Sequence, residues 1–222
     1  MMLEIACFNT SSSLTAARAG ADRIELCSDY AAGGVTPSQT SLQDVRRQTE
    51  KPVNVMIRPR PGNFLYSTAE FEQMKSEIKQ SKPHASGFVF GILDANNYVD
   101  MERNRLLVRL AAPLPCTFHR AFDQISNLEK ATEQVIECGF TSILTSGGKV
   151  DAWSGAQTVT KLQKQFGSRI LFILGGGVRS TNIETLKQQT NVLWYHSAAI
   201  TQPGESADEG EVVRLHELLI DS

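Results

Sequence analysis

ILFILGGGVRS, residues 170–180, sets the pattern of this chain. Five apolar residues form a short run of the kind that makes a strand buried on both faces. Three glycines interrupt it, polar Arg179 and Ser180 follow, and a helical stretch, Thr181–Gln189, comes next. Working outward, the same order recurs. The other apolar runs are LEIAC (3–7), RIEL (23–26), VNVMI (53–57), GFVFGIL (87–93), CTFH (116–119), SILT (142–145) and VLWYH (192–196). Helical patterns cover Thr68–Gln80, Met101–Ala111, Leu128–Cys138 and Ala152–Phe166, and Val212–Ile220 reads as a closing helix. Ser67 with Glu70 spells a capping box, Asp100 and Ser180 are in N-cap position, and Gly139 follows a helix as a C-cap glycine does.

Eight strand-like runs alternating with helices can build a doubly wound sheet or a closed barrel. The count of eight favours the barrel, which can be as short as ~200 residues. Polar residues also recur at the C-terminal end of nearly every run, whereas a doubly wound sheet gathers its site at one switch point. The expected fold is α/β: a single-domain (β/α)8 TIM-type barrel over residues 1–222. Thr201–Gly210 (TQPGESADEG) reads as a mobile loop before the C-terminal helix.

Composition narrows the partners. The 222 residues include 22 basic and 24 acidic side chains, a formal charge of −2 with no basic block, so a nucleic-acid surface is not expected. No apolar run has the length of a bilayer span. The first residues, MMLEIACFNTSSS, place Glu4 inside the apolar stretch and lack a basic flank, so they read as a strand and not a signal peptide. Cys7, Cys27, Cys116 and Cys138 form no C-x-x-C pair, and four reduced thiols in a cytoplasmic protein are expected.

A closed barrel turns all strand ends to one mouth, where such folds carry their chemistry. The polar residues there are Glu25, Arg58, Arg60, His119, Arg120, Asp123, Thr145, Ser146, Gly147, Gly148, Gly175, Gly176, Gly177, Arg179, His196 and Ser197. Glu4 and Glu25 fall within strands, and a buried carboxylate needs a partner or a proton. Arg58, Arg60 and Arg120 are the expected partners, in a structural network or a functional one. Gly175–Gly177 ahead of a helix suit an anion, with Ser146, Gly147 and Ser197 as further donors. His119 is the foremost acid/base candidate, and the alternative is a core histidine bonded to Asp123 or a carbonyl. His196 is a weaker candidate of the same kind, and His84 and His216 read as surface residues.

The blocks ADRIELC (21–27), GGVTPS (33–38), VMIRPRPGNFLYS (55–67), FVFGIL (88–93), TFHRAFD (117–123), ILTSGG (143–148), GGGVR (175–179) and HSA (196–198) occur in this order. Together they resemble the CutC family of copper-homeostasis proteins, from Leu3 to about Ala198. The resemblance implies a (β/α)8 barrel, a cytosolic location and a homo-oligomer. It also implies copper(I), which prefers soft sulfur ligands. Family members commonly carry a cysteine two residues after the first-strand glutamate. Here that position is Ala6, with Cys7 beside it, and Cys27 matches a second family cysteine. Strand alternation puts Cys7 on the face opposite Ala6, so Cys7 and Cys27 are not expected to meet.

Three functions follow. The first is an enzyme acting on a small anionic, perhaps phosphorylated, metabolite. Glu25 and His119 would move protons, Arg58 and Arg60 would neutralise charge, and the glycine loops would hold the anion. The second is a non-catalytic copper(I) protein using Cys27 with Cys7 or a methionine such as Met56. The third is an interaction scaffold, which gives no reason for polar residues converging on one mouth.

Overall fold

In the computed structural model, which describes residues 1–220, strands and helices alternate along the whole chain. They are β1 (Met2–Cys7), α1 (Thr10–Arg18), β2 (Arg23–Leu26), α2 (Gln39–Gln48), β3 (Val53–Met56), α3 (Thr68–Ser81), β4 (Gly87–Phe90), α4 (Met101–Ala111), β5 (Cys116–Phe118), α5 (Leu128–Cys138), β6 (Ser142–Thr145), α6 (Ala152–Phe166), β7 (Leu171–Leu174), α7 (Ile183–Thr190), β8 (Trp194–Ser197) and α8 (Glu209–Ile220). A 3₁₀ turn, Arg120–Gln124, follows β5. Each strand pairs in parallel with the next, and β8 pairs with β1, so the sheet closes into the expected (β/α)8 barrel. No helix among the described residues is long and apolar enough to cross a membrane.

Strand alternation sorts the side chains into two layers. Leu3 and Ile5 of β1, Ile24 and Leu26 of β2, and Phe88 and Phe90 of β4 belong to one continuous apolar cluster shared with the helices. Each such side chain, fully buried, contributes about 1.5–3 kcal/mol. The intervening residues form a different interior. Glu4, Glu25, Asn54, Thr117 and Ser142 are all buried and polar, and Cys27, Met56 and Val89 make a small separate apolar cluster. The interior groups survive burial by pairing, as Thr117 and Ser142 do across β5 and β6 at 2.7 Å.

Several local signals hold. Ser67 and Glu70 form both halves of the capping box, Asp100 accepts from the Arg103 N–H, and Gly139 takes the left-handed conformation at φ 93°. Ser180 does not cap a helix: its N–H and hydroxyl both donate to Glu211 of α8, at 2.8 and 2.7 Å. α7 therefore starts later than its pattern suggested, after Asn182. Helices α1 and α2 escape the apolar pattern, because TSSSLTAAR and QTSLQDVRRQ are mostly polar. Their caps are still present: Asn9 accepts from the Ser12 N–H and Ser38 from the Ser41 N–H. In the 201–210 stretch, the Thr201 hydroxyl donates to Asp208 at 2.5 Å, and the Ala207 N–H donates to Ser12 at 3.1 Å.

Candidate functional site

A cavity of about 260 Å³ opens at the C-terminal ends of the strands. Glu25, Arg58, His119, Arg120, His196 and Ser197 line it together with Gly176 and Gly177. Arg60, Asp123, Ser146, Gly147 and Gly175 do not line it. The barrel brings together residues that are up to 192 positions apart, from Ala6 to Ala198, because every strand ends at the same rim.

On the β1–β2–β8 side the register places Glu4 level with both Arg23 and His196. Glu4 accepts from the Arg23 Nε at 2.6 Å and meets the His196 Nδ1 at 2.8 Å. These are the partners of the buried carboxylate, in place of the expected Arg58, Arg60 and Arg120. Arg23 was legible in principle, since alternation puts Arg23 and Glu25 on one face of RIEL. Burial alone would push the Glu4 carboxyl up, but the Arg23 charge and the His196 contact outweigh it and hold the group at about 2. Burial likewise works against a charged His196, yet the charge of Glu25 and the bond and charge of Glu4 raise its pKa. Held by Glu4 at Nδ1, His196 presents Nε2 to the Glu25 carboxylate at 3.7 Å. Burial pushes Glu25 up to about 7 against the pull of His196, and the Glu4 charge adds to the rise. Glu25 Oε1 is buried with no hydrogen-bond partner.

The β3–β5 side is built differently. The Arg58 guanidinium donates to the carbonyls of Ala32, Gly34 and Gly62, at 3.0, 2.9 and 3.0 Å. It thus ties the loops after β2 and β3 together and leaves its Nε buried without a partner. Gly34, at φ 85°, supplies the turn that aims its carbonyl inward. The Phe64 ring packs against His119, with centroids 4.7 Å apart. His119 Nδ1 accepts from the Ala121 N–H at 3.3 Å, while Nε2 is buried and unpartnered. Burial, reinforced by the Arg58 charge, depresses the imidazole to about 3. His119 is therefore held neutral at physiological pH. It bonds neither Asp123 nor a carbonyl through its side chain. His196 is the histidine of this mouth whose surroundings favour the charged form. His84 and His216 are half-buried rather than surface residues, and the Nδ1 of His216 has no partner.

The glycine loops divide in two. Asp123 accepts from the Thr145 hydroxyl at 2.5 Å and from the Ser146 and Gly148 N–H groups at 3.0 Å. Arg120 donates to Asp123 at 2.8 Å and to the Ser146 hydroxyl at 2.7 Å. Ser146 and Gly147 thus serve as a support that orients Arg120 and not as direct donors to the cavity. Gly147 also lies hard against the Gly155 carbonyl of α6, where a Cβ would come within 2.5 Å. The β7 loop differs. Among the described residues, no protein acceptor takes the N–H of Gly176, Gly177, Val178 or Ala198. Ser197 donates to the Val178 carbonyl and accepts from Arg179 and the Ala199 N–H, so it braces this loop. The helix that was to add its dipole begins only at Ile183, beyond Arg179 and Ser180. Arg60 points away from the mouth, paired with Glu70 at 2.5 Å.

Copper(I) needs converging soft donors, and two cysteines do not converge. Cys7 belongs to the apolar layer outside the barrel, whereas Cys27 lines the cavity beside Met56. Burial pushes the Cys7 thiol up to about 12, and burial with the Glu25 charge raises Cys27 well above its ordinary value. A two-thiolate site does not fit these residues. Among the described residues, one group of three metal-ligating side chains clusters, Glu4, Glu25 and His196, and none of its donors is soft.

The pattern of the CutC family matches residues 1–201. The human copper homeostasis protein cutC homolog is 40% identical over 199 residues, covering 89% of this chain and 73% of that protein. A Streptococcus agalactiae structure described as a copper homeostasis protein CutC superposes with a TM-score of 0.85 at 32% identity, covering 89% of this chain and 98% of the other. Phosphoribosyl anthranilate isomerase from Thermotoga maritima shares the fold alone, with a TM-score of 0.64 at 12% identity over 100% of both chains. With the matching residues spread over all eight strands, the chain belongs to the CutC family.

Proposed function

We propose that the barrel mouth is the active site of an enzyme that moves a proton on a small anionic metabolite. One observation carries this reading: Glu25 keeps an unpartnered oxygen in the cavity wall while a buried Glu4–His196 pair stands behind it. A carboxyl raised to about 7 gives and takes protons near neutrality. The anion would rest on the free N–H groups of the β7 loop and Ala198, with Arg120 and Arg179 beside them. Arg58 contributes charge and its Nε, not the full fork expected of it.

Calorimetry and thermal shift with inorganic phosphate and glycerol 3-phosphate test this. A ligand at a hundred times its Kd stabilises the fold by about 2.7 kcal/mol. At Gly177, φ 76°, a Cβ would meet only Asp151 at 3.8 Å, so Gly177→Val would crowd the anion and strain the loop. The wild type is expected to respond to both probes and the variant to neither. A wild type indifferent to every anion would remove the reading.

The relatives' names favour a second reading, a copper(I) protein, and here Cys27 with Met56 is the soft pair available. A competition titration against a copper(I) chelator is expected to show weak binding, because one protonated thiol and one thioether are a poor donor set. Tight one-to-one binding lost in Cys27→Ser would favour copper instead.

A further inference from the structure

Three buried polar atoms on cavity-lining residues have no partner: Glu25 Oε1, His119 Nε2 and Arg58 Nε. Leaving such a group unpaired costs on the order of 1–3 kcal/mol. Three around one cavity describe a ligand by its complement, with one group to lose a proton and others to accept hydrogen bonds. The position of the imidazole proton is set by geometry. Nδ1 accepts from the Ala121 N–H, so the ring hydrogen is on Nε2. β2 and β5 are not neighbours in the barrel, and Glu25 and His119 line the same cavity. The cavity, at about 260 Å³, is at the small end of ligand pockets, which run ~300–1,000 Å³ for drug-sized compounds.

We infer that this site enolises a small phosphorylated α-hydroxycarbonyl compound, with Glu25 as the base and the neutral His119 N–H as the donor to the carbonyl oxygen. The inference rests on the proposed function of this cavity and adds its reaction class. Glu25 takes the proton from the carbon beside the carbonyl. The C–H electron pair forms the C=C bond, and the carbonyl π pair moves onto oxygen, where His119 Nε2–H holds the developing charge. The Glu25 carboxyl then returns the proton to the neighbouring carbon, and the hydroxyl proton passes between the two oxygens. Atoms and electrons are conserved, and the product is the isomeric carbonyl compound. A carboxylate base with a neutral imidazole donor is a known solution to this chemistry on another barrel enzyme. The depressed His119 agrees with its role as a neutral donor.

The test compares two phosphate compounds by calorimetry. Phosphoglycolohydroxamate is a planar mimic of the enediolate, and glycerol 3-phosphate carries the same phosphate on tetrahedral carbons. The hydroxamate is expected to bind at least ~100-fold tighter, as analogues of a reacting state do. His119→Ala is expected to abolish that preference while glycerol 3-phosphate binding stays within about threefold. In the wild type, nitrogen-15 NMR should show His119 protonated at Nε2 only, with that proton moving downfield when the hydroxamate binds. This readout decides the matter even if the variant fails to fold. Equal affinity for the two compounds, a preference that survives in His119→Ala, or an unmoved Nε2–H signal would overturn the inference and leave the proposed function standing. Failure of both compounds to bind would overturn both.

Discussion

His196, at the end of β8, and His119, just past β5, are both largely buried at the same mouth, and the protein tunes them in opposite directions. Burial works against the charged form of both. His196 overcomes it because two carboxylates, Glu4 and Glu25, face its two nitrogens. His119 has no carboxylate partner; its neighbours are the Phe64 ring and the Arg58 charge, and a backbone hydrogen bond offsets desolvation only in part. The lesson is that a histidine at a strand end is not an acid/base by position. What faces its nitrogens decides whether it carries charge or a fixed N–H.

The largest way to break this contrast is Glu4→Ala. It strips the partner from both Arg23 and His196, and loss of one member of a buried ion pair costs about 3–5 kcal/mol. Urea denaturation should show a loss of that size, and NMR titration should show His196 falling below its ordinary 6.5. A His196 that stays raised would mean that Glu25 alone sustains it.

The two walls should also respond to pH in opposite senses. Glu25 rises from 4.5 to about 7 on folding, so its contribution is full below 4.5 and is lost as pH rises through 7. His119 falls from 6.5 to about 3, so its contribution is full above 6.5 and is lost as pH falls through 3. Each slope is at most about 1.4 kcal/mol per pH unit. Denaturation across pH should show Glu25→Gln removing the loss between 4.5 and 7. His119→Gln should remove the acid-side loss instead. If the two variants change the slope with the same sign where the windows overlap, between 4.5 and 6.5, the contrast between the walls fails.

Arg58→Met sharpens the comparison with a smaller effect. Burial is the larger cause of the depressed His119, so its pKa should rise yet stay below 6.5, as followed by NMR. Smaller again is Arg60→Ala. The Arg60–Glu70 pair is on the rim, with the Arg60 side chain 36% exposed, so stability should change by no more than about 1 kcal/mol. Phosphate binding should not change, because Arg60 does not line the cavity.

The barrel was legible because its outer layer is built from local signals. Apolar runs at strand length, capping boxes and C-cap glycines each act within a few residues, and eight repeats of one unit leave few alternatives. The mouth residues were legible for the same reason, as polar groups following each run. α1 and α2 were hidden because serine and glutamine supply caps and helix interior without an apolar stripe. The site's partners were hidden for another reason: Glu25 and Arg58 both appear as strand-end charges, yet one faces a histidine and the other three carbonyls.

By itself the sequence determined the order of strands and helices, the inward face of each strand, and the set of polar groups delivered to one rim, because these depend on spacing and alternation along the chain. The closed barrel alone decided that residues 4, 23 and 196 share a level and that His119 is neutral. Those outcomes depend on the stagger between neighbouring strands and on which charges burial brings within a few ångströms. Both arise only when distant segments close around a common axis.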